Sequence, residues 1–311
     1  MKSRTWTLGS ICSLLLIVSA ATSTVYAAPI RVDCGRGGSI NSTLASLTSA
    51  GNTRGVTIFV TGTCRENIAI GSFDHLALEA SPIATIQDQT SGSQPVVVIF
   101  NSYDVTLVGF TINGGSSGVD CAPDSYCELY LNRIQQSYEG VRFAGSHGFV
   151  SGNNISNSGY SGISVLNGAS VNTTSNTISG SGLAGMLVGY GSTLTAASDI
   201  VQNNLTGVQV IQKSALRATD LTITSNRGDG VLLLSGSTAA FQQSSTGNLI
   251  TGNSGNGVSV NDLSFAEFDG TNTVSGNLTQ PDVACNPQYS ATRGAGTVGG
   301  TTNCTEPQRS K

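Results

Sequence analysis

An all-β solenoid, a chain wound into stacked coils of about 22 residues, is what this 311-residue sequence predicts, and three observations carry the prediction. First, glycines followed by an aliphatic residue or methionine recur at Gly118, Gly140, Gly162, Gly185, Gly207, Gly230 and Gly257, at intervals of 22, 22, 23, 22, 23 and 27. Second, two apolar series keep the same beat. Ile112, Ile134, Ile155, Ile178, Ile200, Ile223 and Ile250 follow at 22, 21, 23, 22, 23 and 27. Phe149, Val171, Leu194, Leu216, Ala239 and Phe265 follow at 22, 23, 22, 23 and 26. A shared period in this range is the mark of a stacked-repeat architecture. Third, apolar residues stand two apart after each repeat glycine, as in Ile163/Val165, Met186/Val188, Val208/Val210, Val231/Leu233 and Val258/Val260. A period of two means strand, with the intervening side chain pointing outward.

Gly, Asn and Ser fill the segments between strands, where the chain must bend and sometimes take positive φ. Asn203, Asn226 and Asn253 each precede the repeat glycine by four residues and are expected to stack along one corner. Three strands and three corners per period describe a parallel β-helix with three parallel sheets and coils about 4.8 Å apart. Leucine-rich repeats need a Leu-dominated pattern and a helical side, and neither is present. The six-residue beat of a left-handed hexapeptide helix and the calcium-binding glycine-rich nonapeptide are also missing.

The first segment reads as an address. Lys2 and Arg4 precede an apolar run of 11 residues from Ile11 to Ala21, and Val25-Tyr26-Ala27 offers small residues at a cleavage position. Residues 1–27 are therefore expected to be a signal peptide, which places the mature chain outside the cell, in the periplasm or at the cell surface. The run is too short to cross a bilayer core of about 30 Å, so no membrane span is expected. Removing it takes away two cations and leaves 12 cations against 18 anions, a net charge of −6. With no basic block and only 10% charged residues, a nucleic-acid partner is excluded as an expectation. Hydrophobic residues at 38% still supply a core, so wholesale disorder is not expected.

Residues 28–55 form the expected N-terminal cap. An open solenoid end exposes strand edges and core, and must be covered. Ile40, Leu44 and Leu47 fall on one helical face after Ser39, so residues 39–50 are read as a short capping helix. Residues 56–280 carry the repeats. Residues 281–311 lack periodicity and are expected to form a C-terminal cover. Six cysteines remain after the leader: Cys34, Cys64, Cys121, Cys127, Cys285 and Cys304. An even number in an exported chain reads as disulfides, with 15 pairings open. Their grouping into three regions favours Cys34–Cys64, Cys121–Cys127 and Cys285–Cys304. A metal site is disfavoured, because no short C-x₂₋₄-C spacing occurs and His75 and His147 are the only histidines.

The repeats, together with Val56-Thr57-Ile58-Phe59-Val60 and Gly62-Thr63-Cys64-Arg65-Glu66-Asn67-Ile68, resemble the secreted right-handed parallel β-helix proteins of the pectate-lyase-like superfamily over roughly residues 55–280. The resemblance implies a right-handed coil. It is specific for fold and unspecific for activity. Hydrolases of that superfamily carry Asn-Thr-Asp, Asp-Asp, Gly-His-Gly and Arg-Ile-Lys motifs. The first two are absent here. Ser146-His147-Gly148 and Arg133-Ile134-Gln135 match two residues of three, in the wrong chain order. No hydrolase role carries over.

The outward residues after each repeat glycine are Asp120, Arg142, Ser164, Leu187, Gln209, Leu232 and Ser259. Asp120 and Arg142 should be neighbours on adjacent coils, with Asp124, Glu139, Glu128 and Arg133 near. The resemblance implies that a lyase of acidic sugars would use Asp120, Asp124 and Glu139 to hold Ca²⁺ and Arg142 as base. The plainer reading, which is favoured, is an opposite-charge ladder between neighbouring strands. From Phe143 to Ser198 the chain has no charged residue. Tyr138 and Tyr160 share one repeat position, and aromatic faces with hydroxyls and amides are what sugars bind. The alternative is that these tyrosines only fill a corner, as Leu183 and Leu205 do on the next coils. Asn41, Asn154, Asn172, Asn204, Asn277 and Asn303 stand in glycosylation sequons, as chance allows in such a composition.

Two functions follow. The preferred one is a non-catalytic, secreted solenoid that binds a polysaccharide or cell-surface glycan and needs no cofactor. The other is a polysaccharide lyase or related enzyme acting on acidic glycans, the only reading that brings in Ca²⁺.

Overall fold

The computed structural model describes residues 29–286, 291–293 and 297–304, so the expected signal peptide lies outside the described residues. One coil runs Glu139–Ala144, His147–Ser151, Asn154–Ser156, and the next runs Ser161–Leu166, Ser170–Thr174, Thr177–Ser179. Successive coils pair strand on strand in parallel, with Val141 beside Ile163, Val150 beside Thr173 and Ile155 beside Ile178. The solenoid thus has three faces, in chain order the first, second and third of each coil.

The first face is a ten-stranded sheet that begins at Ile68–Gly71 and ends at Val283–Cys285. The other two faces belong to one twenty-stranded sheet. They are joined where Arg54–Cys64, Asp74–Gln87 and Tyr103–Asn113 run unbroken across both. Register shifts after Val60 and Glu79 replace the corner there, because a bulge bends a strand without ending its ladder.

Stacking extends beyond residues 56–280 at both ends. Ile30–Asp33 pairs in parallel with residues 58–61, and Val283–Cys285 pairs with Val258–Val260. The helix Ile40–Ser49 covers the N-terminal end with Ile40 and Leu44 buried. Ser39 accepts the Ser42 N–H at 3.1 Å. Glu66, from the first long turn, accepts the Ile40 N–H at 2.7 Å and the Ser39 hydroxyl at 2.8 Å. A carboxylate at this position meets the unpaired N–H groups and the positive end of the helix dipole. Disulfides join Cys34–Cys64, Cys121–Cys127 and Cys285–Cys304, as the grouping of the cysteines favoured.

The core is a set of stacked ladders. Ile112, Ile134, Ile155, Ile178, Ile223 and Ile250 are fully buried and aligned. Burial of each such side chain contributes about 1.5–3 kcal/mol. The sequence reading misplaced three rungs by one residue. Val201, not Ile200, continues the isoleucine ladder, and Ile200 is 40% exposed. Gly148, not Phe149, aligns with Val171, because Phe143 fills the core there and a Cβ on Gly148 would lie 2.3 Å from its ring. Ala266, not Phe265, aligns with Ala239, beside the stacked core rings of Phe241 and Phe268 at 4.8 Å.

The repeat glycines are required by close approach. A Cβ on Gly140 would lie 2.4 Å from the Gly162 oxygen and 2.5 Å from Ile155. Stacked amides line two corners. One runs Asn204, Asn226, Asn253, Asn277, each side-chain oxygen taking the N–H of the residue one coil below. The expected Asn203 is not in it; it holds a left-handed turn with φ 58°, and its neighbour Asn204 stacks. The other runs Asn132, Asn153, Asn176 and ends on Asp199. Asp199 is fully buried, takes the Asn176 N–H at 2.8 Å and the Thr173 hydroxyl at 2.6 Å, and lies beyond reach of water. Burial pushes its pKa up to about 6, although both partners favour the charged form.

Candidate functional site

On the second face, strands show the ordinary half-buried alternation, as in the exposed–buried pattern of Ser170–Thr174. On the first face, Ser117–Cys121 and Ala184–Val188 are buried at every residue, outward positions included. Those outward side chains are sheltered, and the row they form along the solenoid axis is the candidate groove. Its floor is the outward ladder Asp120–Arg142–Ser164–Leu187–Gln209–Leu232–Ser259, in the register expected.

Arg142 Nη1 reaches Asp120 Oδ2 at 3.0 Å and Oδ1 at 3.2 Å, and Nε faces Glu139 Oε2 at 3.6 Å. Glu139 Oε1 accepts the Ser164 hydroxyl at 2.5 Å, and Ser164 meets Ser161 Oγ at 2.5 Å. Burial pushes both carboxyl pKa values upward, opposed by Arg142, and for Glu139 by Ser164 as well. A single guanidinium therefore holds two desolvated carboxylates. Both carboxylates engage the donor face of Arg142, whereas a proton-accepting arginine would have to be free of such pairing.

Asp124 sits exposed in the turn closed by Cys121–Cys127, with φ 60°. Among the described residues no ion pair or side-chain hydrogen bond joins it to Asp120 or Glu139. The carboxylate oxygens of the remaining pair are already engaged by Arg142 and Ser164. Among the described residues, the one cluster of three potential metal-ligating atoms is Cys34, Cys64 and Glu66, and its two sulfurs are bonded to each other. His147 lies on the second face in register with Tyr126, away from this groove.

Tyr138 and Tyr160, at the corner leading into the first face, stack with centroids 5.4 Å apart and planes at 16°. Tyr138 is 57% exposed. Beside it lies an open depression of about 510 Å³ lined by Asp88, Gly114, Gln136, Asn157 and Gly159. The stack and the floor share coils, since Tyr138 precedes Glu139 and Tyr160 precedes Ser161. Of the sequons, Asn204 and Asn277 are buried with their amides committed to the corner ladder.

The fold and groove define a right-handed parallel β-helix protein. Residues 95–246 match the family described as the right handed beta helix region. The A-module of the Azotobacter vinelandii mannuronan C-5 epimerase AlgE6 is similar in structure, with a TM-score of 0.57 at 14% identity over 86% of this chain and 90% of that one. The A-module of AlgE4 from the same organism gives 0.56 at 13% identity over 86% and 91%. These likenesses concern the fold. No curated protein matches the chain significantly by sequence.

Proposed function

We propose that this is an exported, non-catalytic polysaccharide-binding protein whose ligand is a linear glycan lying along the groove of the first face. The observation that carries the reading is the Tyr138–Tyr160 stack, with Tyr138 exposed and Tyr160 half-buried, beside an outward row that includes the charged Asp120 and Arg142 and the polar Gln209. A coil rise of about 4.8 Å is close to the length of one pyranose unit, so successive sugars can meet equivalent positions. Aromatic faces take the C–H face of a sugar, while Gln209, half-buried in the same row, offers hydrogen bonds. The lyase alternative draws support from the raised carboxyl pKa values in a groove, but it needs a proton acceptor, and Arg142 is engaged by both Asp120 and Glu139.

Affinity electrophoresis in gels containing single polysaccharides tests the reading. Retardation is expected in at least one, and the Tyr138→Ala, Tyr160→Ala double variant should bind about tenfold more weakly, at about 0.5–1.5 kcal/mol per lost aromatic contact. Wild-type protein should give no rise in ultraviolet absorbance on pectate or alginate with Ca²⁺. Undiminished binding by the double variant would overturn the groove assignment; an absorbance rise that Arg142→Ala abolishes would establish the lyase.

Three disulfides suit an oxidising compartment, and export is part of the proposal. Protein recovered outside the producing cytoplasm should begin at Ala28 by N-terminal sequencing. Retention of Met1 would contradict export by this leader.

A further inference from the structure

A different surface carries a second ligand site. On the second face, Tyr126, Glu128 and Tyr130 alternate outward along Tyr126–Tyr130, while Cys127 and Leu129 point into the core. Neighbouring coils add rings on either side. Tyr103 lies 5.7 Å from Tyr126, and Phe149, on the surface instead of in the core, lies 5.8 Å from Tyr130. Further along the same face the outward residues are Asn172, Thr174, Thr193, Thr195 and Ala197, so the aromatic patch is confined to a few coils.

The patch is negative. Glu128 sits between the two tyrosines of its strand and accepts the Tyr130 hydroxyl at 2.9 Å with one oxygen. Asp104 stands one residue before the Val105–Cys127 pair, and Glu79 lies two strands from Tyr130, in register with it through Val108. Arg54 is engaged by Asp74 at 2.8 Å, and Arg31 lies over the Phe59 ring at 5.4 Å. His75 bridges Asp74 and Asp104. The tyrosine hydroxyls register this field. Burial raises the Tyr126 pKa, with Glu128 and Asp104 adding to it, and the Tyr130 pKa is pushed up to about 12 by burial, the Glu128 hydrogen bond and the Glu128 charge. Ring faces combined with carboxylates attract cations. Arg31 over Phe59 shows the same contact made within the chain, two rows of the same sheet away.

We propose that this patch binds a sugar chain bearing protonated primary amines. Every strand of the patch is paired on both sides in the parallel ladder, so no backbone edge is offered to an extended peptide. What remains for a ligand is ring faces and carboxylate oxygens. The C–H faces of amino-sugar units stack on Tyr103, Tyr126, Tyr130 and Phe149, and the ammonium groups meet Glu128 and Asp104. Uronate chains are repelled by the same carboxylates.

Calorimetric titration of the full chain with the hexamer of glucosamine, the hexamer of N-acetylglucosamine and a lysine hexapeptide tests the proposal. The glucosamine hexamer should bind at least tenfold more tightly than the acetylated one, weaken as salt rises, and exceed the peptide. Glu128→Gln, which keeps the shape and the Tyr130 contact, should cost about tenfold for the glucosamine hexamer, and Tyr126→Ala a similar factor. Equal binding of both sugar hexamers, equal binding of the peptide, or an unchanged affinity in Glu128→Gln would each overturn it. The groove variants decide the groove alone, so failure of one site is distinguishable from failure of the other.

Discussion

Ile178→Asp is expected to prevent folding, or to lower stability by about 4 kcal/mol or more, while Thr177→Asp changes it by less than about 1 kcal/mol. Ile178 is fully buried in the stacked ladder, paired with Ile155 on one side and Val201 on the other. Thr177, one residue earlier, faces outward on the third face and is half-buried. Thermal and urea unfolding followed by circular dichroism gives both values. A sharper comparison uses the neighbouring coil. Val201→Asp should be as damaging as Ile178→Asp, and Ile200→Asp mild, because Val201 is buried and Ile200 is 40% exposed. Equal effects of the last two would mean that the register of this coil is wrong by one residue, and that the stacking argument fails with it.

Asp199→Asn is expected to stabilise the protein in neutral solution and to flatten its stability against pH. The folded pKa of Asp199 is about 6, above the ordinary 3.8, because the carboxyl is buried. Between those values the folded state binds more protons than the unfolded state, so stability falls as pH rises. The contribution is fully present below about pH 4 and lost as pH passes through about 6. A displacement of about two units corresponds to about 3 kcal/mol. Asparagine removes the buried charge and still offers an oxygen to the Asn176 N–H, as Asn153 and Asn176 do for the coils below them. Urea unfolding at pH 4 and pH 8 should show wild type weaker at pH 8 and the variant nearly level. A variant that keeps the wild-type slope would place the responsible proton elsewhere.

The site repeats this division between what periodicity reveals and what it hides. A spacing of 22 places Asp120 beside Arg142 and Tyr138 beside Tyr160, and both pairs meet. Spacing also makes Asp124 look like a member of the acidic set, because it stands four residues from Asp120. The turn closed by Cys121–Cys127 carries it out to solvent instead. The second-face patch is hidden in the sequence for a related reason. Phe149 falls on the beat of the core ladder, although the alternation of Tyr126, Glu128 and Tyr130 around Cys127 and Leu129 is a readable sign of an outward aromatic row.

The coiled architecture, its period, the inward chemistry of each ladder, the helix behind Ser39 and the three cysteine pairs were all legible in the order of residues alone. They depend on local alternation and on a repeat that stacks each residue over its equivalent, and both are properties of the chain. Folding in three dimensions was needed for the remainder: the single-residue shifts at Val201, Gly148, Ala266 and Asn204, the fusion of two faces by long strands, the shelter over the first face, and the burial of Asp199. Each of these turns on which side of a strand a residue faces and on which neighbours crowd it. A slip of one residue reverses the former, and corners of unequal length introduce such slips without disturbing the average period.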